Sequence, residues 1–528
     1  MPPRCRRSRC GWCRPRTGST RRCGIRPRRR SGSPTCTAPA ARPDIVYVNT
    51  DGALVVLVAD PALFGSDCRA ATASAAAAPA LVYRARLLPD PDGLLRLRAG
   101  VREVQPDSLS MEDVDGDCAA ELLFALRDSA QRQLEVYAVV PGEGYALRRL
   151  LTLDEAADGP YGAPVATDLN GDGAVDLVVP MCAESAGSDG SCAAYKGFRV
   201  FYNNRSAALD CDFSGKYAAT HADHFAFGFS AAASHAVELT WAGCGLEGTN
   251  GTGPTMPASA AAPLLLRPGD YNRDGYTDLL VPSSRGPLLL TGVVGGAAGG
   301  LRRMAFTCTP LDLERAQTSG RGSAYSSAVP FFVSLASMSR LDVVLTSFAA
   351  TGADGSAWNE VYTNTNVPDR HYALVASALS GTAAHATLHQ PGAVHRFHWQ
   401  DTQMKTRRAH AVQLARTAAH ALQPPRLHFG LGTTFSYVQA FTVGLRVDEA
   451  LQGRTWPSYL VPQAQVFAVL RPAQQPARWT LQLYLQTSHY KALLLIVLVS
   501  TLVILGVPIV LLRCKEVRED FKSRWNPW

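Results

Sequence analysis

Between residues 44 and 365 the chain is written in short apolar runs, cut by turns rich in Gly, Asp, Asn and Ser. Runs of four to eight residues bounded by such turns predict β-strands. Asp44-Ile-Val-Tyr-Val and Leu54-Val-Val-Leu-Val flank an Asp51-Gly52 turn and predict a hairpin. The Ala-rich stretch at 70–80 reads as a low-complexity insertion. From Val367 the texture changes: His, Gln and Thr alternate with apolar residues, as in His371-Tyr-Ala-Leu-Val-Ala and Val438-Gln-Ala-Phe-Thr-Val. That alternation predicts a separate antiparallel β-sandwich over 367–478. Residues 492–512 then run for 21 positions without a charge. As a helix they rise roughly 32 Å, which matches a hydrocarbon core of about 30 Å. Pro508 introduces a kink that bilayer helices tolerate.

Three stretches interrupt the strand pattern in nearly the same words. They are Asp113-Val-Asp115-Gly-Asp117-Cys-Ala119-Ala-Glu121, Asp168-Leu-Asn170-Gly-Asp172-Gly-Ala174-Val-Asp176 and Asp270-Tyr-Asn272-Arg-Asp274-Gly-Tyr276-Thr-Asp278. Oxygen-bearing side chains fall at positions 1, 3, 5 and 9, and an apolar strand follows at once. A tight loop turns such alternate side chains inward, and Ca²⁺ takes six to eight oxygens. An EF-hand loop would close on a Glu at position 12 between helices, so these loops are of another kind. The expectation is a structural Ca²⁺ ion in each loop.

The last acid of each loop also serves as a ruler. The series Asp44, Glu121, Asp176, Asp278 is spaced by 77, 55 and 102 residues, and Asp342 before Val-Val-Leu extends it by 64. Strand-rich units of about 50 residues imply a radial or solenoid architecture. A β-propeller of about seven blades over 44–365, some of them degenerate, fits best.

Charge and cysteine content refine this picture. The net charge of +8 is misleading, because residues 1–40 hold twelve Arg and no acid. The rest is slightly acidic, which argues against a nucleic-acid partner. The 1–40 segment lacks the apolar run of a signal peptide and reads as a disordered or mispredicted N-terminus. Five of the thirteen Cys lie there, seven lie between Cys68 and Cys308, and Cys514 follows the apolar helix. The middle group suits an oxidising compartment. Cys182 and Cys192 are expected to staple a local loop, with Cys118 a candidate for the odd thiol. Asn204-Arg-Ser and Asn250-Gly-Thr are glycosylation sequons. His385, His389, His395 and His398 crowd together without metal-ligand spacing and are read as strand-face side chains. Arg513, Lys515, Arg518, Lys522 and Arg524 follow the apolar segment and predict a cytosolic tail over 513–528.

The loops resemble the FG-GAP repeats of integrin α-subunit propellers. Gln413-Leu-Ala-Arg-Thr-Ala-Ala-His420 and Leu427-His-Phe-Gly-Leu-Gly432 resemble the membrane-proximal segment of the T-cell immunomodulatory protein family. The resemblance covers about residues 44–525. It implies an all-β chain: an FG-GAP propeller, a C2-like β-sandwich, one C-terminal transmembrane helix and a short basic tail. It also implies a type I membrane glycoprotein acting in cell-surface interaction or adhesion with a protein ligand. The family's cation-loop residues carry over onto the acids and Asn at the four positions above. The main-chain carbonyls of Ala119, Ala174 and Tyr276 carry over as further ligands.

No Gly-x-Ser-x-Gly, His-Glu-x-x-His or P-loop motif occurs. The expectation is a binding protein, not an enzyme, with a propeller hydrolase or a secretory-pathway receptor or chaperone as the alternatives.

Overall fold

A computed structural model describes most of residues 45–525. The segments 60–82, 88–101, 183–194, 204–210, 214–227, 245–265, 312–327, 348–358, 381–387 and 415–425, some shorter stretches and both ends lie outside the described residues. The sequons at Asn204 and Asn250, and Cys192, fall there. Cys182 is disulfide-bonded.

The described strands up to residue 365 form five antiparallel sheets in chain order. The first joins β1 (Ile45–Val48), β2 (Leu54–Ala59) and β3 (Tyr83–Leu87), so the hairpin expected around Asp51-Gly52 is present, with Ile45 opposite Leu57. The second comprises β4 (Arg102–Val104), β5 (Ser110–Glu112), β6 (Glu121–Asp128), β7 (Gln133–Gly142) and β8 (Gly144–Asp154). A four-residue helix, α1 (Glu155–Asp158), follows. The third comprises β9 (Val165–Thr167), β10 (Asp176–Cys182), β11 (Tyr195–Phe201) and β12 (Ser234–Glu238). The fourth comprises β13 (Arg267–Gly269), β14 (Asp278–Val281), β15 (Leu288–Ala298) and β16 (Leu301–Pro310). The fifth comprises β17 (Ala328–Val333), β18 (Asp342–Ser347) and β19 (Asn359–Tyr362).

The second to fifth sheets pack face to face, and the side-chain alternation of a strand shows it. On β10, Leu177 and Val179 join a core with Leu123, Leu134 and Val136 of the second sheet. Val178, pointing the other way, joins Leu279, Val281 and Leu290 of the fourth. On β14 the same division sends Leu280 into a core with Phe332, Val343 and Leu345 of the fifth. A strand buried on both faces needs a continuous apolar run, and this is why Asp176-Leu-Val-Val-Pro-Met-Cys does not alternate.

The sandwich follows. One sheet holds β20 (Tyr372–Ser380), β21 (Leu388–His389), β24 (Leu427–Gly432), β27 (Ala464–Val469) and β28 (Thr480–Leu485). The other holds β22 (Val394–Gln400), β23 (Thr406–Val412), β25 (Gln439–Val447) and β26 (Ala450–Trp456). Strand β28 carries the domain past residue 478, where the sequence pattern had suggested its end. Phe397, Trp399, Phe429, Phe441, Trp456 and Trp479 fill the space between the sheets. The buried indoles keep their N–H groups paired, Trp399 with the Leu431 carbonyl and Trp479 with the Pro472 carbonyl, both at 3.0 Å.

The clustered histidines sit on strands, as their spacing suggested, with His385 outside the described residues. His395 is fully buried, 5.8 Å from the Phe441 ring. Burial pushes its imidazole down from 6.5 to about 4. The unfolded chain takes up that proton near pH 6.5 and the folded chain does not, so this contribution is present above 6.5 and lost as pH falls toward 4. The loss amounts to roughly 3 kcal/mol at most. Urea titrations at pH 7 and 4.5 are expected to show a smaller acid loss for His395→Leu than for the parent. Equal losses would mean that another group carries the acid sensitivity.

The last described element is α2 (Ser488–Trp525), with an apolar span starting at Leu494. It is long and apolar enough to cross a membrane.

Candidate cation loops and the contacts around them

The acidic loops occupy one place in three consecutive sheets: between β5 and β6, between β9 and β10, and between β13 and β14. Their backbones agree as well. The fourth and sixth residues are left-handed in every case: Gly116 and Cys118 at φ 76° and 72°, Gly171 and Gly173 at 67° and 84°, Arg273 and Gly275 at 61° and 86°. Gly takes this conformation freely, whereas Cys118 and Arg273 do so at a cost of roughly 1–2 kcal/mol each. Cys118 is further held by a disulfide to Cys211, with Cα atoms 5.6 Å apart. The expectation that Cys118 is the odd thiol is therefore wrong. Among the described residues the free cysteine is Cys514, beyond the apolar span.

The curl of each loop is fixed by carboxylates accepting from backbone N–H groups a few residues ahead. Asp168 accepts from Gly171 and Gly173, both at 2.9 Å, and Asp172 accepts from Ala174 at 2.8 Å. Asp270 accepts from Gly275 at 2.8 Å and Asp274 from Tyr276 at 2.8 Å. In the first loop, Asp113 accepts from Cys118 at 3.1 Å and Asp115 from Asp117 at 2.9 Å. Asn170 and Asn272 fill the third position and accept from Asp172 and Asp274 at 3.1 and 2.9 Å.

Among the described residues the first loop draws the tightest group of acids. One oxygen from each of Asp113, Asp115, Asp117 and Glu121 lies within 4.8 Å of the others. Glu121 is fully buried, and its Oε2 accepts from Val114 N–H at 2.8 Å, while Oε1 has no hydrogen-bond partner. A buried carboxylate oxygen without a donor is costly. A cation within this all-oxygen set would satisfy it, so the residues fit a hard divalent ion. Burial, then the charges of Asp115, Asp117 and Asp113, hold the Glu121 carboxyl far above its usual range. Burial and Asp172 raise Asp168 to about 8. Burial lifts Asp278 to about 7, and Asp176 and Asp270 also rise well above the ordinary value. Carboxyls this crowded favour either protons or a metal.

The ninth position has a second task that spacing did not reveal. Asp176 Oδ2 accepts from Leu169 at 3.2 Å, and Oδ1 accepts from Asn203 at 3.0 Å. Asp278 accepts from Tyr271 and Gly292, both at 2.9 Å. Asp342 accepts from Leu335 at 3.0 Å and Asn364 at 2.9 Å, although its loop holds no other acid. The acid thus closes its own loop seven residues back and pins the strand ahead. Two asparagines missed by sequence reasoning complete the device. Asn203 Nδ2 donates to the Val114 carbonyl in the preceding sheet's loop at 3.1 Å, and Asn364 Nδ2 to the Tyr271 carbonyl at 2.8 Å. Each follows an aromatic end of a third strand, in Phe201-Tyr-Asn203 and Tyr362-Thr-Asn364.

The sandwich is seated on these loops. Arg396 Nη1 donates to the Gly116 carbonyl at 3.3 Å, and Gly432 N–H to the Arg273 carbonyl at 2.9 Å. His371 Nδ1 lies 2.9 Å from the Asn272 carbonyl and His410 Nε2 3.7 Å from Asp113 Oδ2. The Arg407 guanidinium stacks 4.7 Å from the Tyr276 ring centroid. The approach is so close that a Cβ at Gly430 would strike the Asp270 carboxylate and the Arg273 backbone, and one at Gly444 would strike the Cys118 backbone.

Residues 385–484 match the family model described as "ITFG1, C2 domain". A T-cell immunomodulatory protein homolog of Plasmodium falciparum is 23% identical over 452 residues, covering 79% of this chain and 60% of that protein. The human T-cell immunomodulatory protein is 23% identical over 288 residues, covering 51% of this chain and 45% of its own length. The chain thus spans about half to three-fifths of the length of these relatives. A solved lectin of Agrocybe aegerita aligns over 63% of this chain and 80% of its own at 12% identity, with a TM-score of 0.27, too loose to define a shared fold.

Proposed function

We propose that this chain is a member of the T-cell immunomodulatory protein family, and that it is a membrane-anchored binding protein stabilised by Ca²⁺. In this reading the five sheets are blades of an FG-GAP β-propeller, and α2 anchors the chain by a single pass. The propeller and sandwich face the extracellular or luminal side. The names of the relatives and the integrin-like loops favour a protein ligand and a role in cell-surface interaction or adhesion. The basic residues Arg513, Lys515, Arg518, Lys522 and Arg524 favour a cytosolic tail. Asn204 and Asn250 then lie on the glycosylated side.

The observation that carries the cation reading is the buried, unpartnered Oε1 of Glu121 among three further carboxylates. Asp113, Asp115, Asp117 and Glu121 would hold an ion in the first loop. Asp168, Asn170, Asp172 and Asp176 would do so in the second, and Asp270, Asn272, Asp274 and Asp278 in the third. The carbonyls of Ala119, Ala174 and Tyr276 add ligands. The ion's role is to neutralise crowded carboxylates beneath the sandwich, so it is structural. The loop acids already bind backbone N–H groups, which favours a binding protein over an enzyme.

Thermal melting of the full chain tests this. The parent is expected to melt higher in millimolar Ca²⁺ than in EDTA, since a ligand at a hundred times its Kd stabilises by about 2.7 kcal/mol. Asp115→Ala should lose much of that gain while melting close to the parent in EDTA. A parent that melts alike in both conditions would sink the structural cation.

A further inference from the structure

One end of the sandwich gathers exposed apolar side chains around the point from which α2 leaves. Leu485, the last residue of β28, lies opposite Ala464, the first of β27, and α2 starts three residues later at Ser488. Immediately before Ala464, the 457–463 loop presents Tyr459, 69% exposed, and Val461. Leu460 in that loop exchanges both backbone hydrogen bonds with Val438, at 3.0 and 2.9 Å. The bridge lays the 433–438 loop alongside, with Phe435 92% exposed and the Tyr437 ring 6.1 Å from that of Tyr459. Thr434 Oγ1 donates to the Gln400 carbonyl at 2.6 Å, and Gln400 N–H to Ser436 Oγ at 2.9 Å. These bonds bring in the neighbouring 401–405 turn, whose Met404 is 74% exposed.

Four chain segments therefore converge on one rim of Phe435, Tyr437, Tyr459, Val461, Met404 and Leu485. Such a patch on a water-facing surface marks a contact site. Its position says which contact. Two linking residues and the helical stretch 488–493 separate Leu485 from the apolar span at Leu494. Two residues can span at most roughly 7 Å, and six helical residues rise roughly 9 Å. The ordinary tilt of a membrane helix, about 20°, shortens that height further. Tyrosine prefers the membrane–water interface because its ring is apolar and its hydroxyl is wet. The charges on the turn, Asp401 and Lys405, are of opposite sign. This favours recognition of the acyl–glycerol boundary over a particular headgroup charge.

We propose that this end of the sandwich rests in the interfacial layer of the bilayer that α2 spans, with Phe435, Tyr437 and Tyr459 as anchors. The occupant of the rim is phospholipid. The inference rests on α2 crossing a membrane, as argued under the proposed function.

The test places the photo-crosslinker p-benzoylphenylalanine at four positions of the full chain, one at a time, in nanodiscs of alkyne-tagged phosphatidylcholine. Phe435 and Tyr459 probe the rim, and Leu502 probes the span. Gln475, exposed at the opposite end of β28, serves as the water-facing control, roughly 20 Å from the rim by strand rise. Lipid adducts at 435 and 459 are expected at least fivefold above those at 475, with strong labelling at 502. Labelling at 502 with 435 and 459 no higher than 475 overturns the rim and leaves the span standing. So does a protein adduct in place of lipid at 435. Background labelling at 502 overturns the span and the inference with it.

Discussion

Asp342→Ala is expected to destabilise the chain by about 4 kcal/mol, equally in EDTA and in millimolar Ca²⁺. The carboxylate is fully buried, and its two oxygens accept from the Leu335 and Asn364 N–H groups. Alanine strands both donors, and each buried, unmade hydrogen bond costs about 1–3 kcal/mol. No other acid stands in the 334–342 loop, so the cation term should be absent. Chemical denaturation with and without Ca²⁺ reads both parts of the claim. A Ca²⁺-dependent loss comparable to that of Asp115→Ala would show that the ninth acid acts mainly as a ligand. A loss below about 1 kcal/mol would show that the backbone latch matters little.

Gly430→Ala and Gly444→Ala are each expected to cost about 3 kcal/mol and to loosen the sandwich from the loops. The added methyl meets the Asp270 carboxylate and the Arg273 backbone in one case and the Cys118 backbone in the other, and backbone cannot swing aside as a side-chain tip can. Overpacking of this kind typically costs 1–3 kcal/mol. Hydrogen exchange should then speed up at 113–121 for Gly444→Ala and at 270–278 for Gly430→Ala. Gly506→Ala, with nothing within 4 Å of its would-be Cβ, provides the clash-free reference. Unchanged stability and protection in both variants would mean that the sandwich does not sit on the loops in solution.

The strands before 365, the sandwich and the long helix are legible in the sequence because each rests on a local period: continuous apolar runs, alternation, and 21 uncharged positions. The loop acids are legible because their spacing is short. What spacing could not reveal was how Asp176, Asp278 and Asp342 use their oxygens, since Asn203, Gly292 and Asn364 lie 14 to 27 residues further on. The same holds for the loops' contacts with Arg396, Arg407 and Gly432, more than a hundred residues away in the chain. The pairing of Cys118 is illegible for a related reason. Its partner Cys211 stands 93 residues off, and the left-handed backbone that would favour Gly there is invisible in a list of acids.

The ties made by Asn203 and Asn364 bear on which substitutions these turns can absorb. Each hooks a sheet to the loop of its predecessor through a main-chain carbonyl, Val114 or Tyr271, and a carbonyl is present whatever side chain that position carries. The scaffold hooks and the candidate cation ligands are thus different atoms of the same turns. An ion-binding acid in either of these two turns can therefore change while the hook on its carbonyl stays in place.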